Sequence, residues 1–580
     1  MSSDNKYGGY YVAQILKKNG IEHVFSLTGG HIAPILIACK KLDIKVIDVR
    51  HEVTTVFAAD AYSRLSDKVG VAIVTAGPGI TNTVTAVKNA QMAQSPVVII
   101  GGATPRIFKG RGSLQDIDQI SVMKTLVKWQ ATIKSYNDLW KVSEAFYKAK
   151  EGVPGPVFIE IPIDVLWPMD MVKNSFEVGT KNLGKSLQGK LIKFWIDRYI
   201  KKTLAGSDSF VVPDLKTVTN KPFAKGTLQK ITTLLMESHK PILLIGSQAI
   251  SYATVQNVSN AVENLKIPVY LSGMARGLLG KDNKIQFRHK RKEALKEADL
   301  VILAGVPNDF RLEYGRSINR RATLISVNLS KEDLTKNRKP NIGIINDPGQ
   351  FLIELAKNVS NQDNKWNSWF ETLNQRENER NKDILNQSKE KMERINPLFM
   401  SLELETFLND NSILIGDGGD IIATISYIVQ PRKPLSWLDP GPFGTLGVGA
   451  GFALAAKILN TEKDIYLIYG DGSVGYSLIE WDTFVRHKIP IIGIIGNDSG
   501  WMQVAREQVD VFKDSVGTDL GDRYYEKAVE GFGVKGFRVV NDSELANVFQ
   551  DALTISKTNQ SVLINIMLGR GDFRKGSISM

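Results

Sequence analysis

The chain has 580 residues, more than a single hydrophobic core serves, and its 43% hydrophobic and 23% charged residues are those of a globular protein of three or four domains. Its one cysteine, Cys39, excludes a disulfide framework and a cysteine-based metal site, and six scattered histidines lack the close spacing of a zinc site. The net charge of +12 suits anionic small molecules; no arginine-rich, aromatic-interleaved stripe points to nucleic acid, and no apolar run approaches the ~20 residues of a membrane span.

From residue 6 to about 170, short β-rich runs alternate with helical stretches. Residues 45–49, 69–75 and 96–100 read as buried strands, with helices over 53–65 and 80–93 between them. This block closes on Pro154-Gly155-Pro156 and a strand over 157–161. Residues 171–225 break the rhythm and read as a linker. Within it, 190–204 (KLIKFWIDRYIKKTL) is basic and amphipathic, with Ile192, Trp195, Ile196 and Tyr199 expected on one helical face. It predicts a helix packed on its neighbour, or alternatively a peripheral membrane contact. A second α/β block spans 226–360, with strands over 241–246, 268–271, 300–304 and 323–327, and a charged helical connector follows over 361–395. The third block, 396–575, repeats the alternation at 412–415, 465–469, 490–495 and 562–566. The expected fold class is α/β, with three sequential doubly wound parallel-sheet domains, the first and third similar in layout.

Two segments carry chemistry. Gly470-Asp471-Gly472 directly follows an apolar strand, and a second strand ends at Asn497-Asp498. Loops after parallel strands return to one sheet edge, so Asp471 and Asp498 can converge on one cation. Glycine lets backbone approach a phosphate, and Mg²⁺ takes few protein oxygens when phosphate oxygens complete its shell. Far upstream, Glu52 in Arg50-His51-Glu52 opens a helix, where an acid alone would complement the helix dipole.

Together these segments resemble the thiamine diphosphate (ThDP) superfamily that includes acetolactate synthase, oxalyl-CoA decarboxylase and 2-hydroxyacyl-CoA lyase. The resemblance implies three domains, which bind the pyrimidine, a nucleotide and the diphosphate. It makes Asp471 the first Mg²⁺ ligand, Asp498 the second and Gly500 a carbonyl donor, with Gly470, Gly472, Ser473 and Asn497 around the diphosphate. The chain carries Asp498 where most relatives have Asn, which adds a negative charge beside the diphosphate. Arg50-His51-Glu52 and Ala58-Ala59-Asp60-Ala61-Tyr62 resemble the segment of the catalytic glutamate. Glu52, expected to be buried, would serve a ring nitrogen of the cofactor's pyrimidine. Leu446 in Gly444-Thr445-Leu446-Gly447 matches the apolar residue beneath the bent cofactor. Thr75-Ala76-Gly77-Pro78-Gly79 and Asn82 match the pyrimidine turn, and Gln115 matches a glutamine near the thiazolium. Gly29-Gly30-His31 matches a loop over the reacting centre, with Gly30 against the cofactor and His31 a candidate proton donor.

In the middle block, Ser272 to Leu279 and Asn308 to Leu312 resemble the nucleotide-binding domain of the CoA-dependent members. They make Arg276 and Arg311 candidate phosphate or CoA contacts, with ADP or FAD as candidate occupants. Four further segments, 27–31, 75–94, 437–452 and 476–488, bring the chain closest to the acetolactate-synthase-like, 2-hydroxyacyl-CoA lyase branch. The expected activity is therefore ThDP- and Mg²⁺-dependent cleavage of a 2-hydroxyacyl-CoA, or of a free 2-hydroxy fatty acid. The products would be a chain-shortened aldehyde and formyl-CoA or formate. The alternatives are a pyruvate-decarboxylating carboligase and a non-catalytic cofactor-binding protein. The superfamily builds its site across a subunit interface, which implies a homodimer or tetramer. The branch, the missing signal peptide and the C-terminal Ser577-Ile578-Ser579-Met580 imply the cytoplasm or the cytosolic face of the endoplasmic reticulum.

Overall fold

A computed structural model describes residues 7–180, 187–207, 209–219, 222–359 and 365–574, without the side chains of 175–180. Parts of the expected linker and connector, and the tail at 577–580, lie outside these residues. The chain divides into two compact units. One runs to residue 218 without 64–67, and the other comprises 64–67 and everything from 219.

The first unit holds one parallel six-stranded sheet, ordered β2-β1-β3-β4-β6-β5. Its strands are β1 (His23–Ser26), β2 (Lys45–Asp48), β3 (Gly70–Val74), β4 (Val97–Ala103), β5 (Trp129–Thr132) and β6 (Val157–Pro162). Every residue of β3, β4 and β6 is buried. This is why these strands read as continuous apolar runs: helices cover both faces of a parallel sheet.

The second unit holds two more parallel sheets of six strands. One comprises β7 (Pro241–Ile245), β8 (Val269–Leu271), β9 (Gln286–Phe287), β10 (Leu300–Ala304), β11 (Thr323–Asn328) and β12 (Ile342–Ile345), ordered β12-β11-β10-β7-β8-β9. This is the winding of a dinucleotide-binding sheet. The other comprises β13 (Ser412–Asp417), β14 (Trp437–Leu438), β15 (Asp464–Gly470), β16 (Ile492–Asn497), β17 (Lys535–Val539) and β18 (Val562–Met567), ordered β14-β13-β15-β16-β18-β17. Its order repeats that of the first sheet strand for strand.

Each sheet gains two strands over the four expected. Five of the six additions (β5, β9, β12, β14 and β17) lie at sheet edges, where strands are short or half-exposed and lack a full apolar run. The sixth, β1, is internal but has four residues. The expected helix over 80–93 is two pieces, Pro78–Thr81 and Val84–Met92, broken at Asn82-Thr83. In the linker, Leu187–Thr203 is helical, but its inward face differs from the expected one. Ile196 and Tyr199 turn toward the protein, while Trp195 is 68% exposed.

Close packing in the third sheet leaves no room at Gly493 of β16. A Cβ there would stand 2.5 Å from the Trp481 ring and 2.6 Å from Leu563. Gly493→Ala is expected to cost about 1–3 kcal/mol of stability, read by denaturant unfolding at unchanged slope.

Candidate functional site

In sheets wound in this order, loops after neighbouring strands part at the switch point between the first and third strands and leave a crevice. In the first unit that point lies between β1 and β3. Thr28-Gly29-Gly30-His31 follows β1, and Thr75 to Gly79 follows β3. Gly29 packs so closely on Thr75 that a Cβ would come within 2.4 Å of it, whereas Gly30 faces open space. Gly77 has φ +62°, and a Cβ there would meet the Gln115 carbonyl at 2.7 Å. Glycine at 77 is therefore what lets the segment carrying Gln115 close on the turn.

Glu52 opens the helix Glu52–Leu65 after β2 and is buried, 9% exposed. Its Oε2 accepts a hydrogen bond from Asn82 Nδ2 at 2.9 Å, and its Oε1 faces Gly79. Asn82 stands where Pro78–Thr81 ends. The break in the expected helix thus presents a side-chain amide to the carboxyl. His31 Nδ1 lies 3.2 Å from Thr75 Oγ1, and burial holds its pKa below the ordinary imidazole value. A neutral His31 can accept a proton and hand it back. Glu52, Asn82, Gly79, Thr75 and His31 therefore line one edge, with Gln115 joined to it through Gly77.

A buried network missed in the sequence holds this edge. Gln119 Oε1 accepts from Gly77 N at 2.9 Å, and its Nε2 donates to Gly102 O at 3.0 Å and to Glu160 Oε2 at 3.1 Å. Glu160, 1% exposed, also accepts from Lys109 Nζ at 2.9 Å and Thr132 Oγ1 at 3.0 Å. Its position inside the apolar strand VFIEIP was the available signal.

In the third sheet the same switch point lies between β13 and β15. Asp471 begins the short helix Asp471–Val474 directly after β15 and is 3% exposed. Its Oδ2 is sealed from solvent without a hydrogen-bond partner. Burial raises its pKa to about 6. Asp498, in the loop after β16, is raised to about 8, first by burial, then by repulsion from Asp471 and from Asp420. Two carboxyls that resist joint ionisation, Asp471 buried with an orphaned oxygen and Asp498 partly buried, fit a cation between them.

Hydrogen bonds tie their backbone in place. Arg570 donates to the Asp498 carbonyl at 3.0 Å and the Ser499 carbonyl at 3.1 Å, and Tyr525 Oη donates to the Asp471 carbonyl at 3.1 Å. The Asn497 side chain is consumed internally: its Oδ1 accepts from Ser499 N at 3.1 Å and its Nδ2 donates to Asn565 at 3.0 Å. It shapes the Asp498 turn. Ser473 Oγ closes on Gly470, and Gly472 lies against the Trp501 ring, where a Cβ would come within 2.4 Å. Gly500 bridges to Asp519. Among the described residues, no group of three or more His, Cys, Asp or Glu side chains forms a metal cage. Two carboxylates and a carbonyl fall short of six oxygens, so this donor set suits Mg²⁺ held jointly with phosphate oxygens.

A second Gly-Asp-Gly, Gly416-Asp417-Gly418, ends β13 and was overlooked. Asp417 is fully buried, its pKa raised to about 7 by burial, and accepts from Gly447 N at 2.9 Å and Gly449 N at 2.8 Å. It thereby fixes Leu446, whose Cδ2 would stand 2.0 Å from a Cβ at Gly418.

The middle sheet and the third border a cavity of about 770 Å³ lined by Arg276, Arg288, Lys290, Arg291, Arg311 and Arg380, among others. Arg276 lies over the Trp437 ring at 5.3 Å and donates to the Ser426 carbonyl. Arg311 is less available than expected, because Asp309 holds it in a two-point pair at 3.0 and 2.6 Å. Arg291, unforeseen in the sequence, donates to the Arg311 carbonyl at 2.9 Å and has no carboxylate pair among the described residues.

The raised carboxyls set a pH dependence. A carboxyl whose folded pKa exceeds its unfolded one contributes stability below the unfolded value and loses it as pH rises through the folded value. Without metal, Tm should therefore fall as pH climbs from about 4 through about 8, and Mg²⁺ should offset that fall. Asp498→Asn should flatten the slope and raise the metal-free Tm at high pH by a few degrees, read by scanning calorimetry with and without chelator.

Residues 6–122 match the N-terminal TPP binding domain of thiamine pyrophosphate enzymes, 228–355 the central domain and 417–566 the C-terminal TPP binding domain. The chain is 44% identical over 586 residues to 2-hydroxyacyl-CoA lyase 2 of Danio rerio, covering 99% of this chain and 94% of that protein. It is 43% identical to the Homo sapiens protein of that name, covering 99% and 92%. Acetolactate synthase large subunit IlvG of Mycobacterium tuberculosis is 30% identical, covering 94% and 93%. With three consecutive domain matches and relatives of 43–44% identity over its full length, the chain belongs to the thiamine pyrophosphate (ThDP) enzyme family.

Proposed function

We propose that this protein is a ThDP- and Mg²⁺-dependent lyase that cleaves 2-hydroxyacyl-CoA, or a free 2-hydroxy fatty acid, between C1 and C2. The carrying observation is the full-length similarity to proteins named 2-hydroxyacyl-CoA lyase 2, joined to a buried Glu52 held by Asn82. The C1–C2 bond breaks, the hydroxyl proton leaves as C2 becomes the aldehyde carbon, and C1 takes up a proton to become the formyl group. Atoms and electrons balance without an oxidant.

Bound ThDP supplies the nucleophilic carbon and the electron sink. Glu52 holds a proton at the pyrimidine ring nitrogen, and Asn82 fixes the carboxyl that does so. Asp471, Asp498 and the Gly500 carbonyl would hold Mg²⁺ for the diphosphate, with the Gly470–Ser473 turn beside them. Leu446, seated by Asp417, supports the cofactor from below. Gln115 orients the reacting end, and His31 moves the substrate's hydroxyl proton. Arg276, Arg291 and, more weakly, Arg311 receive the phosphates of CoA, ADP or FAD. Glu52 belongs to one compact unit and Asp471 to the other, and the working enzyme is a homodimer or tetramer in which two copies complete each site.

With ThDP, Mg²⁺ and a 2-hydroxyacyl-CoA, the chain should release aldehyde and formyl-CoA, and Glu52→Gln should abolish both. Mixing inactive Glu52→Gln and Asp471→Asn chains should restore about a quarter of wild-type activity, because half the dimers carry one intact site. No recovery after verified subunit exchange would place both residues in one protomer's site. Arg291→Ala should raise KM for the CoA ester roughly 10-fold or more while leaving the free acid unaffected. The 30% identity to an acetolactate synthase supports a second reading, a carboligase acting on pyruvate. Acetolactate formation with bound flavin, and no aldehyde from 2-hydroxyacyl-CoA, would favour it.

A further inference from the structure

The helix Leu187–Thr203 carries two apolar stripes, and the function above uses neither. The inner one anchors it. Gly189, Ile200 and Thr203 are buried, and Ile196 and Tyr199 are partly covered. Tyr199 Oη donates to the buried Asp164 and accepts from Ile107 N at 3.3 Å, while the Arg106 guanidinium lies 5.1 Å over the Tyr199 ring and donates to Thr203. This grip fixes which face looks outward.

The outer stripe is Leu187, Leu191, Phe194 and Trp195, which are 82%, 56%, 61% and 68% exposed. Their spacing of four, three and one residues places them together on the side away from the anchor. Lys190, Arg198, Lys201 and Lys202 border them, and Lys193 lies further round, so five cations face one anion, Asp197. None of the five forms an ion pair among the described residues.

We infer that this outer face is a docking surface for an anionic lipid bilayer, with the helix lying in the plane of the headgroups. Aromatic and leucine side chains enter the acyl boundary while flanking lysines meet anionic headgroups. Charge argues against a second copy of the chain as the occupant. A two-fold interface would set this patch against itself and bring five cations toward five more, and protein interface cores are depleted in lysine. A stripe of four large apolar side chains also exceeds the isolated exposed residues that a soluble surface ordinarily shows. Among the described residues no helix is long and apolar enough to cross a membrane, so the contact is peripheral.

The test uses the full chain and extruded vesicles of phosphatidylcholine, with and without phosphatidylserine, read by co-sedimentation. Binding should appear with phosphatidylserine and weaken as salt rises. Lys201→Glu with Lys202→Glu should weaken it about tenfold or more. Phe194→Asp with Trp195→Asp should abolish it, while circular dichroism, ThDP binding and oligomeric state stay unchanged, since both side chains point away from the anchor. Absence of binding to anionic vesicles, or binding indifferent to the Phe194/Trp195 pair, overturns the proposal. So does a change of oligomeric state in that variant, which would mark the face as a contact between protomers.

Discussion

The site depends on the repulsion between two carboxyls, the buried Asp471 and the half-buried Asp498. Ionising both costs free energy unless a cation stands between them, and hydrogen bonds to the backbone hold their turns in place. Arg570 ties down the carbonyls of the turn at 498 and 499, Asn497 spends its side chain shaping that turn, and Tyr525 holds the carbonyl of 471. Stability given up by burying such a pair is recovered when a cation binds between them, if the proposed metal is taken up there. An asparagine at 498 would remove that repulsion, so the aspartate makes the folded pair more dependent on a counter-charge.

Topology explains why these groups meet at all. Asp417 and Tyr469 are register partners on adjacent parallel strands, so the segments after them emerge side by side at the same edge. The one carrying Asp417 seats Leu446, and the one carrying Asp471 presents a buried carboxyl with an unpartnered oxygen. In the first sheet the equivalent gap separates Gly29-Gly30-His31 from the Thr75 turn, with Glu52 arriving from the strand on the far side of β1.

Much of this was legible in the residues. Continuous apolar runs such as GVAIV and VVIIGGA declare strands buried on both faces, and the glycine-flanked Asp471 declares a ligand edge. Edge strands were not legible, because Ile342–Ile345 and Lys535–Val539 expose part of their length and look like loop or helix. Side-chain partners at long range were also hidden. Nothing near Arg311 in the sequence shows that Asp309 folds back on it, and nothing near Glu160 shows that Gln119 and Lys109 converge there. Asp417 could have been found, since its Gly-Asp-Gly follows an apolar strand just as that of Asp471 does. The orientation of the basic helix could not be read, because it carries apolar residues on two opposite sides and only Asp164 and Arg106 decide which turns inward.

The first and third sheets share one winding order while their edges carry different groups. Evolution can therefore work on them separately. The loop over 28–31, where a Cβ at Gly30 would meet nothing and His31 rests on Thr75, can be lengthened or exchanged while the turn around Asp471 stays as it is. Substrate range in such a lineage should drift along one sheet edge, with the other kept constant as its inheritance.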